Sequence, residues 1–234
     1  CEGESLILSG ENFLNLDFNW SGPNGFTANG NDYNFGTVSQ ADSGIYVLTG
    51  NIGDCEVLSD TFHLSVTNLD DASFSVESFC QGSTNSATIT GLDNGVFSLI
   101  NSSDATIINP INGELSNTTI GVNYQIMYQT NGDCPNSSTQ NLSVLPNEDA
   151  SFTIDNFCYG SSNNTVITGV TSGQFSLTNN PNGALIDSIN GELSNTIPGV
   201  IYTVEYTTPG SLISCSSSSQ QNVQVYPIPS NPNT

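Results

Sequence analysis

The feature that most limits how this chain can fold is an internal repeat. Residues 71–99, DASFSVESFCQGSTNSATITGLDNGVFSL, return at 149–177 as DASFTIDNFCYGSSNNTVITGVTSGQFSL, displaced by a constant 78 positions. The register holds through INGELSN, at 111–117 and 189–195, to GVNYQIMY (121–128) and GVIYTVEY (199–206). A three-residue insertion then precedes Cys215, after which QNLSVLP is matched by QNVQVYP. A period of 78 to 81 residues is the size of a small domain and too long for a solenoid repeat.

The six cysteines follow the same rhythm. Cys1, Cys80 and Cys158 each open a Cys-x-Gly motif, and Cys55, Cys134 and Cys215 follow them by 54, 54 and 57 residues. One pair per unit at nearly constant spacing predicts three bonds within units: Cys1–Cys55, Cys80–Cys134 and Cys158–Cys215. Loops of this length stabilise by roughly 4 kcal/mol when closed, in the chain-entropy account. That matters for units of about 78 residues, whose cores are small. Metal ligation is the rival reading, but it has neither a CxxC spacing nor clustered histidines to support it. Lipidation is a second rival for Cys1. The shared Cys-x-Gly argues against it: the strand-like ASFSVESF or ASFTIDNF that precedes the motif in units two and three has no counterpart before Cys1, as expected of an excerpt cut inside its first domain. The expected organisation is thus an immunoglobulin-like domain at 1–68, repeats at 69–146 and 147–227, and a Pro-rich linker at 228–234.

No segment sustains a 3.6-residue hydrophobic period with capping signals. Short alternating runs such as ESLILSG, SATIT, NYQIMY and YTVEY, separated by Gly, Asn and Pro clusters, predict an all-β chain of three antiparallel sandwiches. In unit one, Asp42-x-Gly44-x-Tyr46 matches the tyrosine corner of immunoglobulin-like domains, and Trp20 stands where a strand C tryptophan packs. Position 48, which would hold the immunoglobulin cysteine, is Leu48. Units two and three carry Gly121-x-x-Tyr124 and Gly199-x-x-Tyr202 at the corresponding place, with Phe97 and Phe175 as substitutes for the tryptophan. In INGELSN, Asn-Gly predicts a two-residue type I′ hairpin, because both central positions of that turn need positive φ. Glu114 and Glu192 would then open the return strand as solvated carboxylates.

Composition removes whole classes of function. The 234 residues include no Lys and no Arg against 22 Asp plus Glu, for a formal charge of -22. Nucleic-acid binding needs cations to displace phosphate counterions, and polybasic lipid attachment needs them as well. No run of 18 apolar residues is present to insert into a membrane. The only histidine, His63, alternates with Phe62, Leu64 and Val66 and should face away from the core, so no catalytic triad is expected. Without cationic side chains, each carboxylate must be solvated, bonded to N–H groups or paired with an external cation. Asp70 with Asp71, and Glu148 with Asp149, fall at the unit boundaries and are the candidate calcium ligands.

The pattern D-A-S-F…F-C…T-I-T-G…G-x-F-S…G-E-L…G-x-x-Y-x-x-x-Y…C-P-N-S-S-T, fullest at 71–139, resembles repeats of very large surface proteins of Bacteroidetes. CEGESLILSG, WSGPNGF and ADSGIYVLTG in unit one resemble the immunoglobulin-like or PKD-like modules beside them. The resemblance implies an adhesin of the gliding-motility type, exported by type IX secretion to the cell surface. It also implies O-glycosylation at Asp-Ser/Thr-apolar motifs, with Ser188 and, more weakly matched, Thr61 as the acceptors. The function expected is a non-catalytic stalk or filament segment, reaching on the order of 100 Å at ~3.3 Å per strand residue. Its partners would be flanking repeats or other copies. The alternative is a polysaccharide-binding module of a secreted protein, for which Tyr33, Phe35 and Tyr159 are the loop-like aromatics available to contact surface glycans.

Overall fold

A computed structural model describes residues 1–11, 16–101 and 104–228; all of the expected terminal linker except Ile228 lies outside them. Among the described residues the regular structure is β, apart from two single 3₁₀ turns at Pro23–Gly25 and Gln40–Asp42. Unit one holds β1 (Ser5–Ser9), β2 (Asp17–Ser21), β3 (Thr27–Asn29), β4 (Asp32–Thr37), β5 (Gly44–Ile52) and β6 (Cys55–Leu64). Unit two begins with β7 (Phe74–Ser75), β8 (Phe79–Cys80), β9 (Thr88–Ile89) and β10 (Val96–Asn101), followed by β11 (Ile107–Ile108), β12 (Leu115–Ser116), β13 (Asn123–Gln129) and β14 (Ser137–Leu145). Unit three repeats that order as β15 (Phe152–Ile154), β16 (Phe157–Cys158), β17 (Thr165–Ile167) and β18 (Gln174–Asn179), then β19 (Leu185–Ile186), β20 (Leu193–Ser194), β21 (Ile201–Thr207) and β22 (Ser218–Tyr226).

Each unit is an immunoglobulin-like sandwich with its own core. The larger sheet of unit one runs β3-β2-β5-β6 and faces the β1-β4 pair. In units two and three the sheets run β10-β13-β14-β8 and β18-β21-β22-β16, faced by two-stranded pairs. Alternation explains the central strands. On β13, Tyr124, Ile126 and Tyr128 are fully buried, and on β21 so are Tyr202, Val204 and Tyr206, while their neighbours point outward. Fully burying such side chains stabilises each unit by about 1.5–3 kcal/mol apiece. The hydroxyls are not stranded: Tyr128 donates to the Leu92 carbonyl and accepts from the Gly95 amide, both at 2.8 Å, and Tyr206 does the same with Val170 and Gly173.

The immunoglobulin markers fall where the sequence puts them. Tyr46 is buried and its hydroxyl donates to the Asp42 carbonyl at 2.7 Å. Trp20 is buried, donates to the Gly30 carbonyl at 3.0 Å and lies directly across from Leu48 in the sheet. Phe97 and Phe175 fill the core position, with ring centroids 4.7 and 4.5 Å from Tyr128 and Tyr206. The corners of units two and three differ from that of unit one. The Tyr124 and Tyr202 hydroxyls accept from the amides of Thr119 and Ile197, five residues upstream, at 2.7 and 2.9 Å. They donate to Asp104 and Asn182 at 2.6 and 2.7 Å.

INGELSN is a turn, but not the predicted one. Ile108 pairs with Leu115, and Ile186 with Leu193, so six residues rather than two connect the strands. Of each Asn-Gly pair only the glycine, Gly113 (φ 68) or Gly191 (φ 72), is left-handed, whereas a type I′ turn also needs positive φ at the preceding asparagine; the other left-handed residue of each motif is its last, Asn117 (φ 56) or Asn195 (φ 53). The backbone closes more widely instead: Asn109 N–H donates to the Glu114 carbonyl at 2.8 Å, and Asp187 N–H to that of Glu192 at 2.9 Å. Glu114 and Glu192 therefore end the loop and do not open the return strand. A side chain does what a third strand would do. Asn85 donates to Gly113 O at 3.0 Å and accepts from Leu115 N–H at 2.9 Å; Asn163 repeats both contacts at Gly191 and Leu193.

Candidate functional site at the unit junctions

The expected cysteine pairing is overturned. The bonds are Cys1–Cys134 and Cys80–Cys215, with Cα atoms 5.4 and 5.8 Å apart, while Cys55 and Cys158 are free and exposed. Both bonds therefore join one unit to the next. Strand polarity is the physical reason. β8 pairs in parallel with the end of β14, setting Cys80 beside Leu145. Cys134 lies in the β13–β14 loop, before the start of the same nine-residue strand. At ~3.3 Å per residue, some 30 Å separates the two cysteines of a unit, against the ~7 Å limit for a disulfide. The Cys-x-Gly motif sits at the pole where a unit hands over to its successor, and the successor presents its β-hairpin loop there.

The linkers reinforce these bonds. Pro146 O accepts from the Cys215 amide and Glu148 N–H donates to the Cys215 carbonyl, both at 2.8 Å, so Asn147 runs as a parallel bridge beside Cys215. At the first junction Asp70 N–H donates to the Cys134 carbonyl at 2.8 Å, and Asn136 Nδ2 donates to Asp70 O at 3.0 Å. A junction with one covalent connection can swivel. Here each junction has two, the linker and the disulfide, and hydrogen bonds fill the space between them.

The boundary carboxylates predicted as calcium ligands are engaged by protein donors. Asp70 Oδ2 accepts from Gly132 N–H at 3.0 Å. Glu148 accepts from Gly210 N–H at 3.1 Å and from the Ser214 hydroxyl at 2.8 Å. The first acid of each pair thus caps the hairpin loop of the unit that follows. The second, Asp71 or Asp149, closes a local turn onto the amide of Ser73 or Ser151 at 2.9 Å. The Ser214 hydroxyl, more than the Gly210 amide, holds the Glu148 carboxyl below its ordinary pKa; Ser151 and Ser73 do the same for Asp149 and Asp71. Among the described residues no group of three or more His, Cys, Asp or Glu gathers to hold a metal. Gly132, Gly210 and Ser214 escaped the sequence reading: that a Cβ at Gly132 would stand 2.4 Å from Asp70 Oδ2 is decided only by the fold, which brings the linker against the hairpin loop.

The other candidates scatter. Tyr33 and Phe35 are not in a loop: they lie half-buried on β4 and pack with Phe26 and Tyr46, at centroid distances of 4.8 Å (Phe26–Tyr33) and 5.5 Å (Phe35–Tyr46). Their i, i+2 spacing puts both on the inner face of the strand. Tyr159 is exposed, next to Cys158. Ser188 is exposed in the 187–192 loop, and Thr61 is exposed on β6. His63 is exposed on β6, across from Ile45.

No protein-family model matches the chain, and no curated protein sequence is similar to it. Solved structures are similar at low identity. The three N-terminal domains of the bacteriophage RB49 highly immunogenic outer capsid protein align over 97% of this chain and 95% of theirs, at 13% identity and a TM-score of 0.46. Mouse cadherin-23 EC22-24 aligns over 97% and 93%, at 12% identity and a TM-score of 0.33. A SusE-like surface polysaccharide-binding protein from the Bacteroides thetaiotaomicron heparin utilisation locus aligns over 66% of this chain and 34% of its own, at 14% identity and a TM-score of 0.35. With scores this low, function has to be argued from the chain's own residues.

Proposed function

We propose that this chain is a tension-bearing spacer: a non-catalytic, extracellular stalk segment of a large bacterial surface adhesin, of the Bacteroidetes repeat kind. The supporting observation is the stagger of the two disulfides. Cys1–Cys134 and Cys80–Cys215 define two covalent nodes, and three chain segments run between them in parallel: 1–80, 80–134 and 134–215. A load applied along the chain is shared among the segments, and the shortest limits how far the nodes can separate. Bonds closed within each unit would give only one path between successive units. Persistent disulfides suit an oxidising, extracellular setting. The uniform negative charge keeps neighbouring stalks apart without cationic sites that would collect polyanions.

Pulling the oxidised chain between residues 1 and 215 tests this reading. Full unfolding should release no more than about 190 Å between the nodes, the reach of 54 residues at ~3.5 Å each. After reduction the same pull should reach about 750 Å. Equal extensions with and without reductant would refute the load-sharing role.

A further inference from the structure

The two free cysteines occupy positions that are bonded elsewhere in the chain. Three Cys-x-Gly motifs share one local geometry. Gly3, Gly82 and Gly160 have φ of 86, 83 and 85°. The amides of Glu2, Gln81 and Tyr159 donate to the carbonyls of Thr67, three residues past β6, and of Leu145 and Tyr226, the last residues of β14 and β22, at 2.9, 2.9 and 2.8 Å. The amides of Glu4, Ser83 and Ser161 return to the cysteine carbonyls at 3.2, 3.0 and 3.0 Å. The parallel pairing Cys80↔Leu145 recurs as Cys158↔Tyr226, and Pro227 follows Tyr226 as Pro146 follows Leu145. Two of the three motifs, those of Cys1 and Cys80, hold a disulfide to the next unit's hairpin loop. The third, Cys158, is exposed, and so are Tyr159, Tyr226 and Ile228 around it.

We propose that Cys158 is the leading half of a third interdomain disulfide, whose partner is the hairpin-loop cysteine of a further unit of this repeat joined through Pro227. The inference builds on the stalk reading, because a third bond would carry the parallel covalent paths onward, but its geometry comes from the two junctions alone. Cys55 is the matching trailing half. It lies where β5 turns into β6, in the Gly-Asp-Cys sequence that also contains Cys134. Closing the bond takes two protons and two electrons from the paired thiols and delivers them to an external disulfide, such as glutathione disulfide, which leaves as two thiols.

The test extends residues 1–227, which contain all three units and all six cysteines. A second copy of residues 147–228 is placed directly after Pro227, with Cys158→Ser in the added copy to leave one candidate seat. The added copy also carries Leu212→Val, at a site 97% exposed, as a mass tag. The protein is folded in a glutathione redox buffer and digested without reduction by a protease specific for acidic residues, since the natural chain offers trypsin no Lys or Arg. The expected product is a peptide joining Cys158 to the tagged copy of Cys215, with Cys1–Cys134 and Cys80–Cys215 retained. Changing the original Cys158 to Ser should abolish that peptide and leave the tagged cysteine free. The proposal is overturned if Cys158 stays free while both internal bonds form, or if it bridges to Cys55 of another copy in preference to the added unit. Failure of the stalk reading would show separately, in the extension of the 234-residue chain.

Discussion

At the scale of single residues, a chain without Lys or Arg has to satisfy its carboxylates with N–H and O–H donors. Asp104 is the clearest case. Thr106 and then Tyr124 bond its ionised form and hold its pKa far below the ordinary carboxylate value. A depressed folded pKa contributes stability above the unfolded value of about 4, and loses it as pH falls through the folded value. Unit three has Asn182 bonded to the tyrosine hydroxyl in place of Asp104, so Asp104→Asn is a tolerated exchange. The wild type should be the more stable of the two at pH 7, and the gap should close as the pH is taken from about 5 toward 2. Thermal melts of the two proteins across that range check it. A gap independent of pH would separate the carboxylate from the effect. Relief of charge repulsion on acidification acts on both proteins and cancels in the comparison.

At the scale of elements, the INGELSN loop depends on a side chain that substitutes for a strand. Asn85 and Asn163 each satisfy one carbonyl and one amide of the loop. Asn85 is buried, so Asn85→Ala leaves both groups unpaired at a cost of about 1–3 kcal/mol. The loss should appear in denaturant unfolding as a lower midpoint with an unchanged slope, and Asn163→Ala should cost less, because Asn163 is half-buried and the Thr165 hydroxyl still donates to Gly191 O at 3.3 Å. Asn85→Asp should not recover the loss at neutral pH, because its carboxylate has no donor for Gly113 O and sets a buried charge against it. The Asn-Gly pair in the sequence marked a turn at this place. It did not give the turn's length: the loop is equally long in unit three, where Ser188 stands in place of Pro110, and what the two share is the distant clamp, Asn85 or Asn163.

At the scale of the whole molecule, the stagger of the bonds makes the junctions stiff without changing the units. Cys80→Ser with Cys215→Ser should leave the β signal in far-ultraviolet circular dichroism intact, since each sandwich keeps its own core. The same change should open the 146–149 linker to proteolysis that the bridged protein resists. Rapid cleavage of the wild type there would mean that the second covalent connection does not restrain the junction. In the chain-entropy account a closure of 133 residues is worth about 5 kcal/mol, and in folded units it acts on their mutual orientation.

The sequence by itself determined three things: how many units there are, that they are sandwiches, and which side chains of the central strands fill them; Tyr33 and Phe35, on the inner face of β4, were not among these. Each of these follows from a local period, the 78-residue repeat for the first and the two-residue alternation of Tyr124, Ile126 and Tyr128 for the others. It also placed Trp20, Tyr46, Phe97 and Phe175, because each stands at a fixed offset from its strand. The partners of the six cysteines were left to the tertiary structure. A perfect repeat spaces its cysteines evenly whether the bonds close within a unit or step to the next, so 54 and 54 fit one pairing as well as 133 and 135 fit the other. Only the parallel seat of Cys80 at the far end of β14 puts its own unit's cysteine out of reach and the next unit's within it.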